Sequence, residues 1–310
     1  MAARVLDGTA VANQIRAELK PAVAAFTVKA GRPPGLGLVL VGDDPASEIY
    51  VTAKLKSATE TGLRADIERL PATASLSELL AVVDRLNHSD VHDGILVQAP
   101  LPAAMGHDGE RRVFDAMSPA KDVDGFHPVN VGLLVQNRAA LVACTPSGVI
   151  EILQRSQIPM SGARAAVIGR SDIVGKPMAL LLLHQHATVT ICHSKTPDLA
   201  KTAAQADIVV AAIGRPAFVT PDFVKPGATV IDVGINRLTD QASVDRIFAP
   251  GSKGRDTFAR RGSVVVGDVH PDVASVAGAL TPVPGGVGPL TIAILLKNTL
   301  RAAEERFKAK

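Results

Sequence analysis

Apolar residues recur four apart at Val11, Ile15, Leu19 and Val23, which predicts a helix over 9–29. Arg32-Pro33-Pro34-Gly35 breaks it, and the unbroken apolar run Leu36-Gly37-Leu38-Val39-Leu40-Val41 reads as a buried strand. After the turn at 42–45, Asp44 or Ser47 is placed to cap a helix reaching about Thr61, with Gly62 as its stop. A strand over 66–70, a helix from Ser75 and a strand over 94–98 complete a β-α-β-α-β series, the signature of a parallel sheet. From 118 to about 141 turn residues dominate without a period, so this stretch is expected to connect two domains.

Thr145-Pro146 has the form of a helix entry. A second alternating series follows: strand 164–168, helix 174–185, strand 188–192, helix 197–205, and strands 207–213 and 229–233. That is the doubly wound pattern. Residues 238–262 are polar and mixed in charge, with Phe248 and Phe258 as the main apolar anchors, and are expected to form a surface excursion. A long helix is expected over 290–307.

Composition supports this α/β reading. A chain of 310 residues exceeds the usual single-domain range, and 47% hydrophobic residues with only 3% aromatic suit helices covering parallel strands. The net charge of +3 carries no dense basic stripe interleaved with aromatics, so nucleic acid is not an expected partner. Cys144 and Cys192 are too few for a disulfide framework, lack metal-ligand spacing and read as buried free thiols. The N-terminus lacks a signal-peptide core, and no apolar run reaches the ~18 residues of a membrane span. A cytoplasmic protein without membrane or metal is the expectation.

Candidate chemistry sits at strand ends. The run 165–177 reads as strand, glycine turn and helix start, a form that aims backbone N–H groups and the helix dipole at a phosphate. Its glycines, Gly169 and Gly175, do not follow G-x-G-x-x-G, and an ordinary βα turn would explain them equally well. The next strand ends at His193-Ser194-Lys195, where an NAD site would place an acid; with Arg170 in the first turn, these donors favour NADP. Tyr50 and Lys54 share a helix face, as an acid/base or stacking pair or, on spacing alone more simply, as a surface lysine beside a tyrosine. Gln98 ends a strand where ligands bind in open α/β sheets, or is a plain polar strand end. Lys121-Asp122-Val123-Asp124 is a charged turn or a carboxylate site for N–H donors, with too few oxygens for calcium. The loop 281–289, with Pro282, Gly285 and Gly286, permits close backbone approach as it opens the last helix.

Taken together, these stretches resemble the bifunctional methylenetetrahydrofolate dehydrogenase/methenyltetrahydrofolate cyclohydrolase (FolD) family over nearly the whole chain. The family's Y-V-x-x-K-x-K is similar to 50–56, its G-I-L-V-Q-L-P-L-P to 94–102 and its D-V-D-G-F-H to 122–127. G-R-S-x-x-V-G-x-P falls at 169–177, C-H-S-x-T at 192–196, V-I-D-V-G-I-N at 230–236 and T-P-V-P-G-G-V-G-P at 281–289. The resemblance implies oxidation of 5,10-methylenetetrahydrofolate with NADP+ and hydrolysis of the methenyl product to 10-formyltetrahydrofolate, in a homodimer.

By the same resemblance Lys54 is catalytic, Gln98 tunes it, Tyr50 stacks on the p-aminobenzoyl group and Asp122 holds the pterin N–H donors. Pro282, Gly285 and Gly286 line the folate side. Gly169, Arg170, Ser171, His193 and Ser194 hold NADP, with Ile235 near the nicotinamide. The family's returning C-terminal helix gives residues 1–140 and 281–310 as the catalytic domain and 141–280 as a Rossmann-like NADP domain. Two departures stand out: Ala99 replaces the usual Leu, and 238–262 is longer than the family's short passage from G-I-N to G-D-V. Competing readings are an NADP-dependent dehydrogenase of another small substrate, of shikimate type, and a non-catalytic NADP-binding module.

Overall fold

The computed structural model describes residues 3–138 and 141–308. The chain forms two compact units, one of Ala12–Cys144 with Thr291–Lys310 and one of Met1–Val11 with Thr145–Leu290. The expected boundary at 140/141 abuts residues 139 and 140, which lie outside the described residues.

A short strand β1 (Arg4–Val5) leads into α1 (Gly8–Ala30), which buries Val11, Ile15, Leu19 and Val23 as the four-residue spacing predicts. β2 (Gly35–Val41) is buried at every position, as a central parallel strand covered on both faces must be. In α2 (Pro45–Thr61) the Asp44 carboxylate accepts the Ser47 N–H at 2.8 Å, and Gly62 at φ 90° ends the helix in the left-handed conformation. β3 (Arg64–Leu70) pairs with β2, and α3 (Leu76–His88) opens on a reciprocal capping box between Ser75 and Glu78. β4 (Gly94–Val97) completes a three-stranded parallel sheet of order β3-β2-β4.

Two helices follow, α4 (Gly109–Ala116) and α5 (Pro128–Val135). The second falls inside the stretch expected to be a connection. Its residues are almost uniformly apolar and so carry no period, and its start is set instead by Pro128 and by His127 Nδ1 accepting the Val129 N–H.

The first unit is tied by a buried carboxylate. Asp93 accepts two hydrogen bonds from Arg32, at 2.6 and 2.8 Å, one from Arg306 at 2.8 Å and one from the Gly35 N–H at 3.0 Å. Asp93→Ala leaves two guanidinium groups without their counter-charge, and we expect about 3–5 kcal/mol of destabilisation, measured by urea unfolding.

The second unit begins with α6 (Cys144–Arg155), β5 (Arg164–Ile168), α7 (Gly175–His184), β6 (Thr188–Cys192), α8 (Leu199–Ala203), β7 (Ile208–Ala211) and β8 (Thr229–Asp232). These match the doubly wound expectation closely. The region read as an irregular excursion is ordered. β9 (Asn236–Leu238), α9 (Gln241–Ile247), α10 (Lys253–Arg261) and β10 (Val264–Val266) form an antiparallel hairpin with two helices inserted at its tip. Leu238, Val244, Ile247, Val264 and Val266, with Phe248 and Phe258, give it a small core of its own. Its polarity masks it in sequence, because α10 buries no residue completely.

β11 (Ala279–Leu280) adds to β8, and β1 adds to β11. The result is a parallel six-stranded sheet of order β1-β11-β8-β7-β5-β6. The compact units differ from the expected division at two points: the described residues up to Val11, and residues 281–290, group with this sheet. The last helix, α11 (Val287–Lys308), belongs to the first unit from Thr291 on, where Asn298 Nδ2 donates to Val123 O and Val142 O at 2.8 and 2.9 Å. No described helix is long and apolar enough to cross a membrane.

Candidate active site and cofactor turn

In the first unit Lys54 is the central group. It lies on the inner face of α2 and is only 8% exposed, so the surface-lysine reading is excluded. Its Nζ donates to Gln98 Oε1 at 2.9 Å, and Gln98 Nε2 donates to Ala99 O at 2.6 Å, which turns the amide oxygen toward the lysine. Burial pushes the Lys54 pKa below its ordinary value, and the nearby negative charge of Asp124 opposes the shift. Tyr50, one turn earlier, is half-buried, and its phenol is pushed upward by burial.

The two carboxylates of the 122–124 turn have different surroundings. Asp122 is fully buried, and its oxygens accept the Gly125 N–H at 3.0 Å, the His127 N–H at 2.8 Å and Asn130 Nδ2 at 2.9 Å. In this conformation it holds the turn together and is closed to a ligand's N–H groups. Asp124 keeps part of its surface open, although its carboxyl is hemmed in by protein, and burial raises its pKa. The sequence marks Asp124 only as the second carboxylate of the charged turn, and the family resemblance assigns the substrate role to Asp122 alone. Cys144 lies next to it as a buried thiol whose pKa is raised well above the ordinary value, first by burial and then by Asp124. Such a thiol is inert as a nucleophile.

In the second unit, the turn after β5 has the geometry of a phosphate cradle. Gly169 has φ 129°, and a Cβ there would lie 2.1 Å from Ala212 O. A Cβ at Gly175 would lie 2.4 Å from Gly169 O. Ser171 Oγ accepts the Val174 and Gly175 N–H groups at 3.2 Å, capping α7 while its own hydrogen stays available to donate. Arg170 is exposed at the same turn. At the end of β6, His193 Nδ1 accepts the Lys195 N–H at 3.1 Å, which leaves Nε2 as the donor nitrogen, and Ser194 and Lys195 are exposed. With no acid at this strand end, the donors fit a 2′-phosphate and not a bare ribose hydroxyl.

Ile235, in the loop after β8, is 49% exposed. Two buried acids that sequence reasoning left without a role hold this loop. Asp268 accepts the N–H groups of Ile213, Gly214 and Arg215 at 2.7–2.9 Å, and Asn236 Nδ2 at 3.0 Å. Asp232 accepts those of Gly234, Asp268 and Val269 at 2.8–3.0 Å, and burial raises its pKa to about 7. The signal for Asp232 was an acid ending a buried strand. The loop with Pro282, Gly285 and Gly286 is fixed in this same unit. Thr9 donates from its N–H to Gly285 O at 3.0 Å, and a Cβ on Gly8 would lie 1.7 Å from Gly286 O.

A parallel doubly wound sheet with a glycine turn, joined in one chain to a second α/β unit that buries a lysine, defines an NAD(P)-dependent two-domain enzyme. Its family follows from comparison. The sequence profile of "Tetrahydrofolate dehydrogenase/cyclohydrolase, catalytic domain" matches residues 6–124, and that of the "NAD(P)-binding domain" of the same name matches 143–307. The chain belongs to the tetrahydrofolate dehydrogenase/cyclohydrolase family. It is 55% identical over 306 residues to the bifunctional protein FolD of Koribacter versatilis, covering 99% of this chain and 98% of that one. The FolD methylenetetrahydrofolate dehydrogenase/cyclohydrolase of Campylobacter jejuni is 40% identical, with TM-score 0.87 and coverage of 98% and 100%. The FolD enzyme of Trypanosoma brucei, solved with NADP and an inhibitor, is also 40% identical, with TM-score 0.87 and coverage of 99% of each chain.

Proposed function

We propose that one buried lysine serves the chemistry of this bifunctional enzyme, which oxidises 5,10-methylenetetrahydrofolate to the methenyl cation with NADP+ and hydrolyses that cation to 10-formyltetrahydrofolate. Matches to both domains of the family favour this over a shikimate-type dehydrogenase or a bare cofactor-binding module. NADP+, when bound, supplies the hydride acceptor. The rest is supplied by the chain.

The observation that carries the proposal is Lys54, buried, lowered in pKa and hydrogen-bonded to Gln98. A lysine whose proton affinity is lowered gives up its proton more readily, and the free amine can take one from the attacking water. Gln98 fixes the amine's direction, and Asp124 supplies the nearby negative charge. Tyr50, on the same helix face, stacks on the p-aminobenzoyl group. Asp122 fixes the turn that carries Asp124; direct contact between Asp122 and the pterin N–H groups would require that turn to open. Pro282, Gly285 and Gly286 form the folate-side loop. Gly169, Arg170, Ser171, His193 and Ser194 hold the cofactor's phosphates, and Ile235 packs near the nicotinamide.

An absorbance assay with 5,10-methylenetetrahydrofolate tests the reading: NADP+ should support turnover far better than NAD+. No turnover with either, at full cofactor binding, would leave a dehydrogenase of another substrate or a bare binding module.

The pH dependence has a defined sign. Hydrolysis needs the neutral amine, so its kcat/KM rises with pH through the lowered Lys54 pKa and levels off before the ordinary 10.5. Stability moves the same way, because between these two values the unfolded lysine binds the proton that the folded one has lost. A rate independent of pH across this window would refute the role.

A homodimer and a cytoplasmic location complete the proposal. β6 is an edge strand of the sheet, and its Ile191 and Leu183 on α7 are both exposed, which suits a second copy of the chain. Both cysteines are free, as in a reducing compartment. Sedimentation tests the first point: a monomer at micromolar concentration would exclude it.

A further inference from the structure

The hairpin insertion borders a cavity whose lining includes neither Lys54 nor the glycine turn at Gly169. We propose that this cavity, of about 800 Å³, is a binding site for a small organic polyanion carrying phosphate or carboxylate groups. Its size lies in the range of ligand pockets.

The charge comes from the register of α10. Lys253, Thr257, Arg260 and Arg261 stand at i, i+4, i+7 and i+8, so one helical face carries three cations and a hydroxyl, and all four residues line the cavity. The opposite side of the helix is anchored: Arg255 Nε donates to Phe248 O at 2.7 Å and pairs with Asp245 at 2.7 Å. The cationic face is therefore held toward the cavity. Arg237 from β9 contributes a fourth cation, and His270, whose Nδ1 lies 3.5 Å from the Asp272 carboxylate, contributes a ring nitrogen.

No carboxylate pairs with Arg237, Lys253, Arg260 or Arg261 among the described residues. The one acid in the lining, Asp232, already accepts three backbone N–H groups. Clustered like charges without a counter-charge repel one another, and a bound polyanion removes that repulsion. Apolar walls from Val264, Val266, Val269 and Leu280 lower the local dielectric and strengthen each contact with an anion.

The cavity is distinct from the cofactor turn. None of Gly169, Arg170, Ser171, His193 or Ser194 lines it. It does border the 281–284 loop, so an occupant would sit against the segment that leads into the folate-side glycines.

The test is calorimetric titration of the intact protein, saturated with NADP+ so that the cofactor site is filled. Inorganic pyrophosphate and citrate are the probes, and they separate a phosphate ligand from a carboxylate one. At least one should bind one per chain and weaken as salt is raised. The double variant Lys253→Ala/Arg260→Ala should weaken it about tenfold or more, the loss of charge-assisted hydrogen bonds. Both side chains are exposed, so NADP+ affinity and thermal midpoint should be unchanged. Lys201→Ala on α8, outside the cavity, should leave the titration as it was. Absence of binding by either probe at low salt would overturn the proposal, as would equal weakening by the double variant and by Lys201→Ala.

Discussion

Lys54→Gln is expected to lower the hydrolysis of 5,10-methenyltetrahydrofolate by about 10²–10⁴-fold, the usual contribution of a positioned acid/base group. Glutamine is close in length and keeps a donor for Gln98, so the loss isolates the proton-accepting amine. Lys54→Arg should not restore the rate. A guanidinium stays protonated, and burying it at a position only 8% exposed adds a charge that cannot be shed. NADP+ affinity, measured by fluorescence, should be unchanged in both variants, because the cofactor residues lie in the other compact unit. Substantial hydrolysis by Lys54→Gln would mean that another group activates the water.

Gly169→Ala should have an effect of similar size on the other half of the reaction. The φ of 129° is unfavourable for any L side chain, and the new Cβ would lie 2.1 Å from the backbone oxygen of Ala212. Neither atom belongs to a flexible side chain, so the turn itself must shift. The cradle formed by Gly169, Ser171 and the start of α7 would then lose its geometry, and NADP+ affinity should fall about 100-fold or more, equivalent to roughly 3 kcal/mol. Hydrolysis of supplied 5,10-methenyltetrahydrofolate should persist if the fold is retained, as checked by circular dichroism. Undiminished NADP+ binding would remove the turn from the cofactor site.

Both predictions rest on features that the sequence revealed to different depths. The alternation of apolar strands with helices was legible because parallel strands buried on both faces read as unbroken apolar runs, as in β2 and β7. The caps at Asp44 and Gly62 were legible because they depend on local chemistry alone. Long-range pairing was not. β1 and β11 are two residues each and have no pattern, yet they draw the first eleven residues into the second unit. The α9–α10 insertion looked irregular because its core is small and Phe258 is the one large apolar residue that α10 gives to it.

At the candidate site, residue identity was more legible than environment. Lys54 and Gln98 stood out by motif, but the spacing of α2 gave no reason to bury a lysine. The burial that lowers its pKa comes from the fold. The pair Asp122 and Asp124 shows the same limit. Two carboxylates two residues apart look alike in sequence. Only their hydrogen bonds separate the one that holds the turn from the one that faces the lysine's field. Asp232 and Asp268 were hidden because their partners are backbone N–H groups as far away as residues 213–215.

The central claim is that Lys54 can act as a base because the protein lowers its proton affinity. Selective labelling of lysine side chains allows the Lys54 amine to be titrated by NMR, with Lys54→Gln assigning its resonance. The account predicts a midpoint clearly below the ordinary 10.5, moving further down in Asp124→Asn as the opposing negative charge is removed. A Lys54 that titrates at the ordinary value, indistinguishable from the surface lysines, would contradict it.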